Sequence, residues 1–389
     1  MKKIKVGIAG YGVIGQRLAD GVALQEDMEL VGIADVAPTL SIRALHEAGM
    51  EGVKGKTYKL YLVEGADKAA FDKLGIPVEG SMEDLVRSVD IMLDSAPGGI
   101  GLKNKELYKK HGVKAVFQGG EKNEVADVFF HGYANYEAGL GADYLKLTSC
   151  NTTGLIRAVD ALDKAFGLKK VAITIIRRVA DPGDYHRGLT NALQIDKAPS
   201  HQAVDLMTIM PHIEATGILV HTPVTHGHII TVLASPKEGK ITRQQALDCF
   251  EKHPRIRVVS LAEGFQGNAS FFRYARDLGA RRGDLYEIGL WSDSVVESGD
   301  DIMFAIHIPQ ESVTIPETID AIRAAIDSFV ESNFTPEHIE RVTVELPKGN
   351  VVELECLVKD GDSVSIDDAI RNAVREYTRR RLTKMEEGH

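Results

Sequence analysis

The chain has 389 residues, 44% of them hydrophobic and 26% charged, and a formal net charge of -10 at pH 7. This composition is typical of a folded globular protein and argues against disordered and fibrous classes. The acidic balance disfavours binding to nucleic acid or to an anionic membrane, and no uncharged apolar run approaches the ~18 residues of a membrane span, so we expect a cytoplasmic protein.

The N-terminal segment predicts a dinucleotide-binding βαβ unit. Residues 3–24 have the pattern of a buried strand, a Gly-rich turn and an amphipathic helix, and residues 28–35 that of a second strand. Gly10, Gly12 and Gly15 form GxGxxG in this turn, where the backbone can approach a pyrophosphate at a helix N-terminus. The alternative is a merely tight turn, but the strand–turn–helix context favours the cofactor.

Asp35 ends the second predicted strand, 20 residues after Gly15. A carboxylate there can accept hydrogen bonds from both ribose hydroxyls and repel a 2′-phosphate, which predicts a preference for NAD over NADP. The alternative is a turn residue at a strand end, and NADP is left open as cofactor.

The remaining pattern predicts an α/β protein with two domains and an appendage. Alternating strands and helices extend a parallel sheet and predict a Rossmann-type NAD-binding domain over residues 1–139. Longer strands then predict an α+β catalytic domain with a mixed sheet over residues 140–308. A helix in 309–334 is expected to return to the first domain, and residues 335–389 are expected to form a small ββα extension.

Cys150 is the predicted nucleophile. It stands where a strand ends and a helix begins, followed by Asn151 and two threonines that can cap the helix. Helix N-terminal N–H groups lower a thiol pKa and can hold an oxyanion. The alternative is a structural cysteine. Cys249 and Cys356 lie far away, and the odd number of cysteines argues against a disulfide framework.

A partner for the thiol is predicted in the sequence VTHGHII. His226 and His228 are expected to alternate onto one face of a strand, with Gly227 leaving room beside them. Either histidine could reach the thiol. The spacing also suits a metal, but no third ligand is signalled, so we expect no metal site.

Arg177 and Arg178 end another predicted strand, and a phosphorylated substrate needs such donors. Consecutive strand residues face opposite ways, so we expect one arginine to line the substrate pocket and the other to contact the cofactor or an aspartate. His201, in the loop KAPSHQAVD, is a further candidate anion donor, or a surface histidine.

Six motifs occur in the order seen in one enzyme family: AGYGVIGQRLADGV, FQGGEKNE, TSCNTTGL, RRVADP, PSHQ and PQESVTIPETIDAIRA. With them the chain resembles the archaeal-type (class II) phosphorylating glyceraldehyde-3-phosphate dehydrogenases over about residues 1–333. The resemblance implies that Cys150 is the nucleophile and that His226, the first histidine of the HxH pair, is the base. It also implies a homotetramer.

The resemblance implies further binding residues. It places Ser149, Asn151 and Thr152 beside the substrate, and assigns phosphate or cofactor contacts to Arg177, Arg178 and His201. Cofactor contacts are implied for Val13, Ile14, Gly120 and Gln310. The family's SHHGPD is replaced by SHQAVD, so Gln202 stands where a substrate-side histidine is common, and Ala34 and Asp35 stand where a Thr-Lys pair suited to NADP is often found.

The sequence therefore predicts oxidation of D-glyceraldehyde 3-phosphate through a Cys150 thioester, which inorganic phosphate releases as an acyl phosphate. One alternative is the same thiol chemistry on another aldehyde or acyl phosphate. A second, of another class, is a nucleotide-sensing or scaffold protein without turnover.

Overall fold

The computed structural model describes residues 3–178 and 192–326. They form two sheets with helices packed on them, and two large hydrophobic cores that follow this division. The predicted ββα extension at 335–389 lies outside the described residues.

The first sheet is parallel throughout, as expected for strands joined by helical crossovers. Its strands lie in the order β4-β3-β2-β1-β5-β6-β8-β7, and the chain changes direction across the sheet between β1 and β5. In open parallel sheets, ligands bind at the carboxyl ends of the strands beside such a switch point. The strands are β1 Ile4–Ala9, β2 Met28–Asp35, β3 Leu60–Leu62, β4 Gly80–Ser81, β5 Ile91–Asp94, β6 Lys114–Phe117, β7 Val128–Phe130 and β8 Tyr144–Leu147.

The helices of this first layer begin and end at local signals. In α4 the Ser81 side chain accepts the N–H of Asp84 while the Asp84 carboxylate accepts that of Ser81, a capping box. Gly112 ends α5 in the left-handed conformation that favours glycine. The helices are α1 Val13–Ala23, α2 Leu40–Glu47, α3 Lys68–Asp72, α4 Met82–Val86 and α5 Ile100–His111.

The second sheet is mixed. Its strands lie in the order β10-β11-β9-β12-β16-β14-β13, with β15 paired to β16; β11 runs parallel to β9, and β12 antiparallel to both β9 and β16. The strands are β9 Leu168–Arg178, β10 Gln194–Ile195, β11 Glu214–Thr222, β12 His228–Pro236, β13 Ile256–Val259, β14 Ile288–Trp291, β15 Val296–Ser298 and β16 Asp301–Ile308.

Three helices, α6, α7 and α8, cover one face of this sheet and form the larger core with it, whereas α9 packs on the opposite face, where its Phe271 stacks on His307 of β16 at 4.3 Å. On the first of these faces, alternating buried residues of β9, β12 and β16 pack against the apolar stripe of α6. The helices are α6 Cys150–Phe166, α7 His201–Ile209, α8 Arg243–Glu251 and α9 Asn268–Asp277.

The last described helix, α10 (Ile315–Ile326), returns to the first layer. Ile315 lies so close to Gly21 on α1 that a Cβ there would be 2.8 Å from it. Buried charges also join α10 to α6, since both Nε and an Nη of Arg157 donate to the Glu317 carboxylate, at 2.9 and 2.6 Å.

The predicted fold class is confirmed for the described residues: a parallel Rossmann-type sheet is followed by a mixed-sheet layer. The sheets themselves divide the chain after Leu147 rather than at 139. The reason is that β8, the strand before the predicted nucleophile, pairs in parallel with β6 and so belongs to the first sheet.

Candidate active site

The Gly-rich turn between β1 and α1 is shaped by its glycines. Gly10 has a φ of +87°, and a Cβ at Gly15 would lie 1.9 Å from the carbonyl oxygen of Gly10. Both positions therefore require glycine. A Cβ at Gly12 would meet nothing within 4 Å. The N-terminus of α1 thus stays open, and its geometry fits a pyrophosphate.

Asp35 is held beside this turn. Its Oδ2 accepts the N–H of Tyr11 at 2.8 Å and its Oδ1 that of Val36 at 2.7 Å. Oδ1 also accepts the N–H of Ala37 at 3.4 Å, so of the roughly four acceptor positions of a carboxylate, one remains on Oδ2 for a hydroxyl group of a ligand. The carboxylate is fixed where the ribose of a bound dinucleotide would lie.

The other predicted cofactor residues come from the start of α1, the end of β6 and the loop before α10. Val13 and Ile14 are half-buried in the first turn of α1, and Gly120 is exposed after β6, so these three lie at the carboxyl edge of the first sheet with Gly10. Gln310 is half-buried in the loop between β16 and α10, next to Glu311, which pairs at 2.6 Å with Arg17 of α1.

Cys150 is the first residue of α6 and follows β8, so it lies at the same edge as the Gly-rich turn. Three strand intervals separate the two, roughly 14 Å, which a dinucleotide can span. Ser149 caps the helix, with its hydroxyl accepting the N–H of Thr152 at 3.3 Å. The N-terminal N–H groups and the helix dipole favour a thiolate and an oxyanion at this position.

The histidine beside the thiol is His228, the first residue of β12. Its Nε2 lies 3.7 Å from Sγ of Cys150, and its Nδ1 accepts the backbone N–H of Arg178 at 3.1 Å. Burial first, and then the charges of Arg178 and Arg177, hold the pKa of His228 well below 6.5. The imidazole is therefore neutral near pH 7.

His226, which the resemblance implied as the base, is not brought to the thiol. Gly227, with a φ of +70°, turns the chain between the two histidines, so β12 begins only at His228 and strand alternation does not extend to His226. The exposed ring of His226 lies 3.0 Å from the Thr225 hydroxyl and packs edge-on against Phe272. The expectation that both histidines share one strand face is wrong for this reason.

The two arginines at the end of β9 diverge. Arg178 is buried, donates to the Thr225 carbonyl at 2.7 Å and pairs with Glu311 at 3.2 Å. The second oxygen of Glu311 pairs with Arg17 on α1 at 2.6 Å. Arg178, for which the resemblance implies a phosphate or cofactor contact, thus takes part in a chain of ion pairs that joins the two layers. Arg177 is half-buried, and no described residue accepts a hydrogen bond from its guanidinium.

Helix α7 brings polar side chains towards the start of α6. Asp205 accepts the Thr152 hydroxyl at 3.3 Å, while Nε2 of exposed His201 lies 2.8 Å from Nε2 of buried Gln202. Within the described part of the chain, three buried oxygens of this region lack a hydrogen-bond partner. They are Oδ1 of Asn151, Oγ of Ser200 and Oε1 of Gln202. Because such atoms cost about 1–3 kcal/mol each, they are candidate ligand contacts.

Sequence reasoning missed Lys146. It lies four residues before the thiol on β8, is 3% exposed, and has its Nζ 4.3 Å above the Phe129 ring. Burial lowers its pKa, while Asp205 and Glu121 act in the opposite direction. The available signal was a lysine inside the otherwise apolar strand YLKL, since a buried strand admits a charge only where something nearby balances it.

Two general features of the described residues bear on the class of site. No group of three or more His, Cys, Asp or Glu side chains in residues 3–178 and 192–326 is arranged to hold a metal ion. No helix in these ranges has the length and apolar character needed to cross a membrane.

Comparisons with known proteins agree on one family. Residues 149–274 match the model of the glyceraldehyde 3-phosphate dehydrogenase C-terminal domain. The chain is 42% identical over 328 residues to a glyceraldehyde-3-phosphate dehydrogenase of Pyrococcus furiosus, covering 84% of this chain and 94% of that protein. It is 40% identical over 329 residues to glyceraldehyde-3-phosphate dehydrogenase 2 of Methanosarcina acetivorans, with coverages of 84% and 95%.

The fold has a more distant counterpart among solved structures. An aspartate semialdehyde dehydrogenase II from Vibrio cholerae, complexed with ASA, superposes with a TM-score of 0.60 at 16% identity. The match covers 84% of this chain and all of that one. At this identity the similarity concerns the fold alone.

Proposed function

The chain belongs to the archaeal-type glyceraldehyde-3-phosphate dehydrogenase family, and from this premise we propose that it oxidises D-glyceraldehyde 3-phosphate to 1,3-bisphosphoglycerate with NAD(P) and inorganic phosphate. The observation that carries the proposal is the placement of Cys150. Its thiol stands at the N-terminus of α6, 3.7 Å from His228, on the sheet edge that bears the open Gly-rich turn.

The residues at this edge supply the steps of thiol catalysis. The Cys150 thiolate attacks the aldehyde carbon, and the N-terminal N–H groups of α6 stabilise the oxygen that becomes negative. A nicotinamide cofactor held by the Gly-rich turn and Asp35 would supply the hydride acceptor, and the adduct on Cys150 would then become a thioester. Attack of phosphate on this thioester releases the acyl phosphate and restores the thiolate. His228 takes the place proposed from the resemblance for His226.

We assign the phosphates to the side of the thiol where α7 and the end of β9 meet. Arg177 is the arginine whose guanidinium no described residue engages, and a guanidinium binds phosphate bidentately. His201 and Gln202 lie at the start of α7, and Ser149, Asn151 and Thr152 border the thiol itself. Gln202 offers an amide where the family commonly has a histidine, so it can bind phosphate but cannot gain charge.

We propose NAD as the preferred cofactor, held by Gly10, Gly12 and Gly15 with Asp35 at the ribose. The geometry in favour is the fixed Asp35 carboxylate, which would repel a 2′-phosphate. Arg178 is dropped from the proposed cofactor contacts because its guanidinium is engaged by Glu311.

We further propose a homotetramer in the cytoplasm. On the face of the second sheet opposite α6, part of which α9 covers, and at the edge strands, apolar side chains are exposed. A sheet face of this kind is suited to packing against a second copy. The exposed side chains are Leu193, Ile195, Ile218, Val296 and Met303.

The test is NADH formation from glyceraldehyde 3-phosphate and NAD, with and without inorganic phosphate, beside a panel of other aldehydes. We expect turnover that requires phosphate and disappears in Cys150→Ser. Turnover with only another aldehyde would mean that the same thiol chemistry acts on that substrate. Gln202, which replaces a histidine common in the family, favours this alternative. No turnover with any aldehyde, together with intact NAD binding, would favour the nucleotide-sensing alternative.

A further inference from the structure

Helix α1 carries two opposite charges that face the second layer. Arg17 and Asp20 are three residues apart, so they lie on the same face of the helix. Each is only 4% exposed. A buried charge requires a partner of opposite sign. For both residues that partner comes from the segment 281–284, between α9 and β14 in the second layer.

The two ion pairs have opposite polarity. Nε of Arg17 donates to Asp284 at 2.8 Å, whereas the Asp20 carboxylate accepts from Arg282 at 2.5 Å and from Arg281 at 3.2 Å. We call these five residues the interlayer clasp. Because α1 supplies the cation to one pair and the anion to the other, sliding the helix along the segment would bring like charges together. The interlayer clasp therefore fixes the position of α1 on the second layer.

The interlayer clasp is connected to the start of α1. Nη1 of Arg17 donates to the carbonyl of Val13, the first residue of the helix, at 2.8 Å, and Nη2 pairs with Glu311 at 2.6 Å. The guanidinium is thus held on three sides. No side chain caps α1 at Gly12, so the first N–H groups of the helix can bind a ligand. Glu311 directly follows Gln310, another predicted cofactor contact.

The backbone of the segment 281–284 is strained at one residue. Arg282 has a φ of +60°, in the left-handed region that favours glycine, and is one of three non-glycine residues with a positive φ in the described part of the chain. Such a conformation persists where the surrounding structure imposes it, and it is frequent at functional sites. Here the side chain explains the residue, since its guanidinium supplies the shortest contact to Asp20.

Residues of the interlayer clasp also border a cavity between the layers. Arg282 and Asp284 line this space of about 180 Å³ together with Glu311 and Gln310. The charges that hold α1 therefore lie beside a residue that is predicted to contact the cofactor. The arrangement joins the two parts of the molecule that a single dinucleotide has to reach.

We propose that the interlayer clasp positions the start of α1 for the dinucleotide, so that the charges of the segment 281–284 set the affinity for NAD. Arg282 and Asp284 are positioning residues that act through α1. A dinucleotide that contacts both α1 and Gln310 binds well only when the two are correctly placed, since a small displacement weakens the contacts at one end. This inference rests on the proposed cofactor but does not depend on the identity of the aldehyde.

The test measures NAD binding by isothermal titration calorimetry. Asp284→Asn keeps an acceptor for Arg17 but removes the charge. Arg282→Gly removes the other charge, and glycine adopts the left-handed conformation without strain. We expect the Kd for NAD to rise at least about fivefold in each variant, as is typical of coupling between distinct sites. Arg282→Lys retains the charge and should stay within about twofold of the wild-type Kd.

A matched control separates positioning from a general loss of stability. Glu317→Gln removes a charge from another buried cluster between the layers, whose arginines do not belong to α1. It should lower the melting temperature and leave the Kd for NAD unchanged. The rate of Cys150 alkylation by iodoacetamide without NAD should be the same in both clasp variants as in the wild type, because the thiol is not attached to α1.

Steady-state kinetics with whichever aldehyde is oxidised supply a second readout. The KM for NAD should rise in the clasp variants while the KM for the aldehyde stays constant. An unchanged Kd in Arg282→Gly, or an equal rise in Glu317→Gln, would overturn the proposal, and Arg282→Gly decides the case if Asp284→Asn does not fold. A wild-type protein that binds neither NAD nor NADP would instead refute the proposed cofactor, and with it the proposed function.

Discussion

The sharpest prediction on stability concerns a buried carboxylate between the two layers. The carboxylate of Glu317 on α10 accepts hydrogen bonds from Nε and an Nη of Arg157, and from an Nη of Arg255 at 3.1 Å. The Asp320 carboxylate accepts a hydrogen bond from the same Nη of Arg255 at 2.9 Å. All four side chains are at most 1% exposed. Glu317→Gln keeps the shape of this cluster but removes one of its two negative charges.

The expected loss can be estimated in two ways. Burial alone would raise the pKa of Glu317, but Arg157 and Arg255 outweigh it and lower the pKa from 4.5 to about 2. Such a difference between the folded and unfolded states corresponds to roughly 3 kcal/mol of folding free energy. Removing one partner of a buried ion pair costs about 3–5 kcal/mol by mutagenesis in general. We therefore expect Glu317→Gln to lower the free energy of unfolding by about 3 kcal/mol.

The assay is urea unfolding followed by circular dichroism, at one protomer concentration because any assembly makes stability concentration-dependent. The matched control is Glu83→Gln. Glu83 also contacts several cations, Arg87 and Lys110 among them, but these lie at the surface. Water and salt screen such pairs, so the control should unfold at nearly the wild-type urea concentration.

The pH dependence of the free energy of unfolding gives a second test of this prediction. The folded pKa of Glu317 is depressed, so its contribution is fully present above pH 4.5 and is lost as pH falls towards 2. The stability difference between wild type and Glu317→Gln should stay constant above about pH 5 and shrink below it. A loss under about 1 kcal/mol at pH 7, or a difference that grows in acid, would refute this reasoning.

Three further predictions concern the site. Cys150→Ser should abolish NADH formation and leave NAD affinity, measured by calorimetry, unchanged; surviving activity would exclude the covalent route. Asp35→Asn keeps an acceptor for the Tyr11 amide but removes the negative charge. We expect kcat/KM with NAD, divided by kcat/KM with NADP, to fall by about tenfold. An unchanged ratio would show that Asp35 does not determine the choice between the two cofactors. Gly12→Ala should weaken NAD binding without changing the melting temperature. Gly15→Ala should lower the melting temperature, because its Cβ would lie 1.9 Å from the carbonyl oxygen of Gly10. Equal melting temperatures of the two variants would contradict the conclusion that the turn requires glycine at position 15.

Features set by local pattern were predicted correctly from the chain alone. The βαβ unit and the Rossmann-type sheet followed from apolar runs that alternate with a helical period, because parallel strands are buried on both faces. The family followed from six ordered motifs, and the comparisons confirm it. Cys150 at a helix start followed from a strand that runs directly into capping residues, and α6 does begin there.

A feature that depends on the conformation of a turn was harder to predict from the sequence. The alternation rule placed His226 and His228 on one strand face, but it holds only where both residues are in the strand. The positive φ of Gly227 delays β12 by two residues. A glycine between two histidines is compatible with either arrangement, so the sequence left the choice of histidine open.

Sequence by itself thus determined the fold class and the family, and it predicted that Cys150 stands at the start of a helix, since each depends on residues close together in the chain. Only the tertiary structure decided which histidine meets the thiol, because Cys150 and His228 come from separate elements, α6 and β12. The same holds for the electrostatic interaction of Lys146 on β8 with Asp205 on α7, two residues that are far apart along the chain. Long-range pairing leaves no local periodicity, so packing alone brings such groups together.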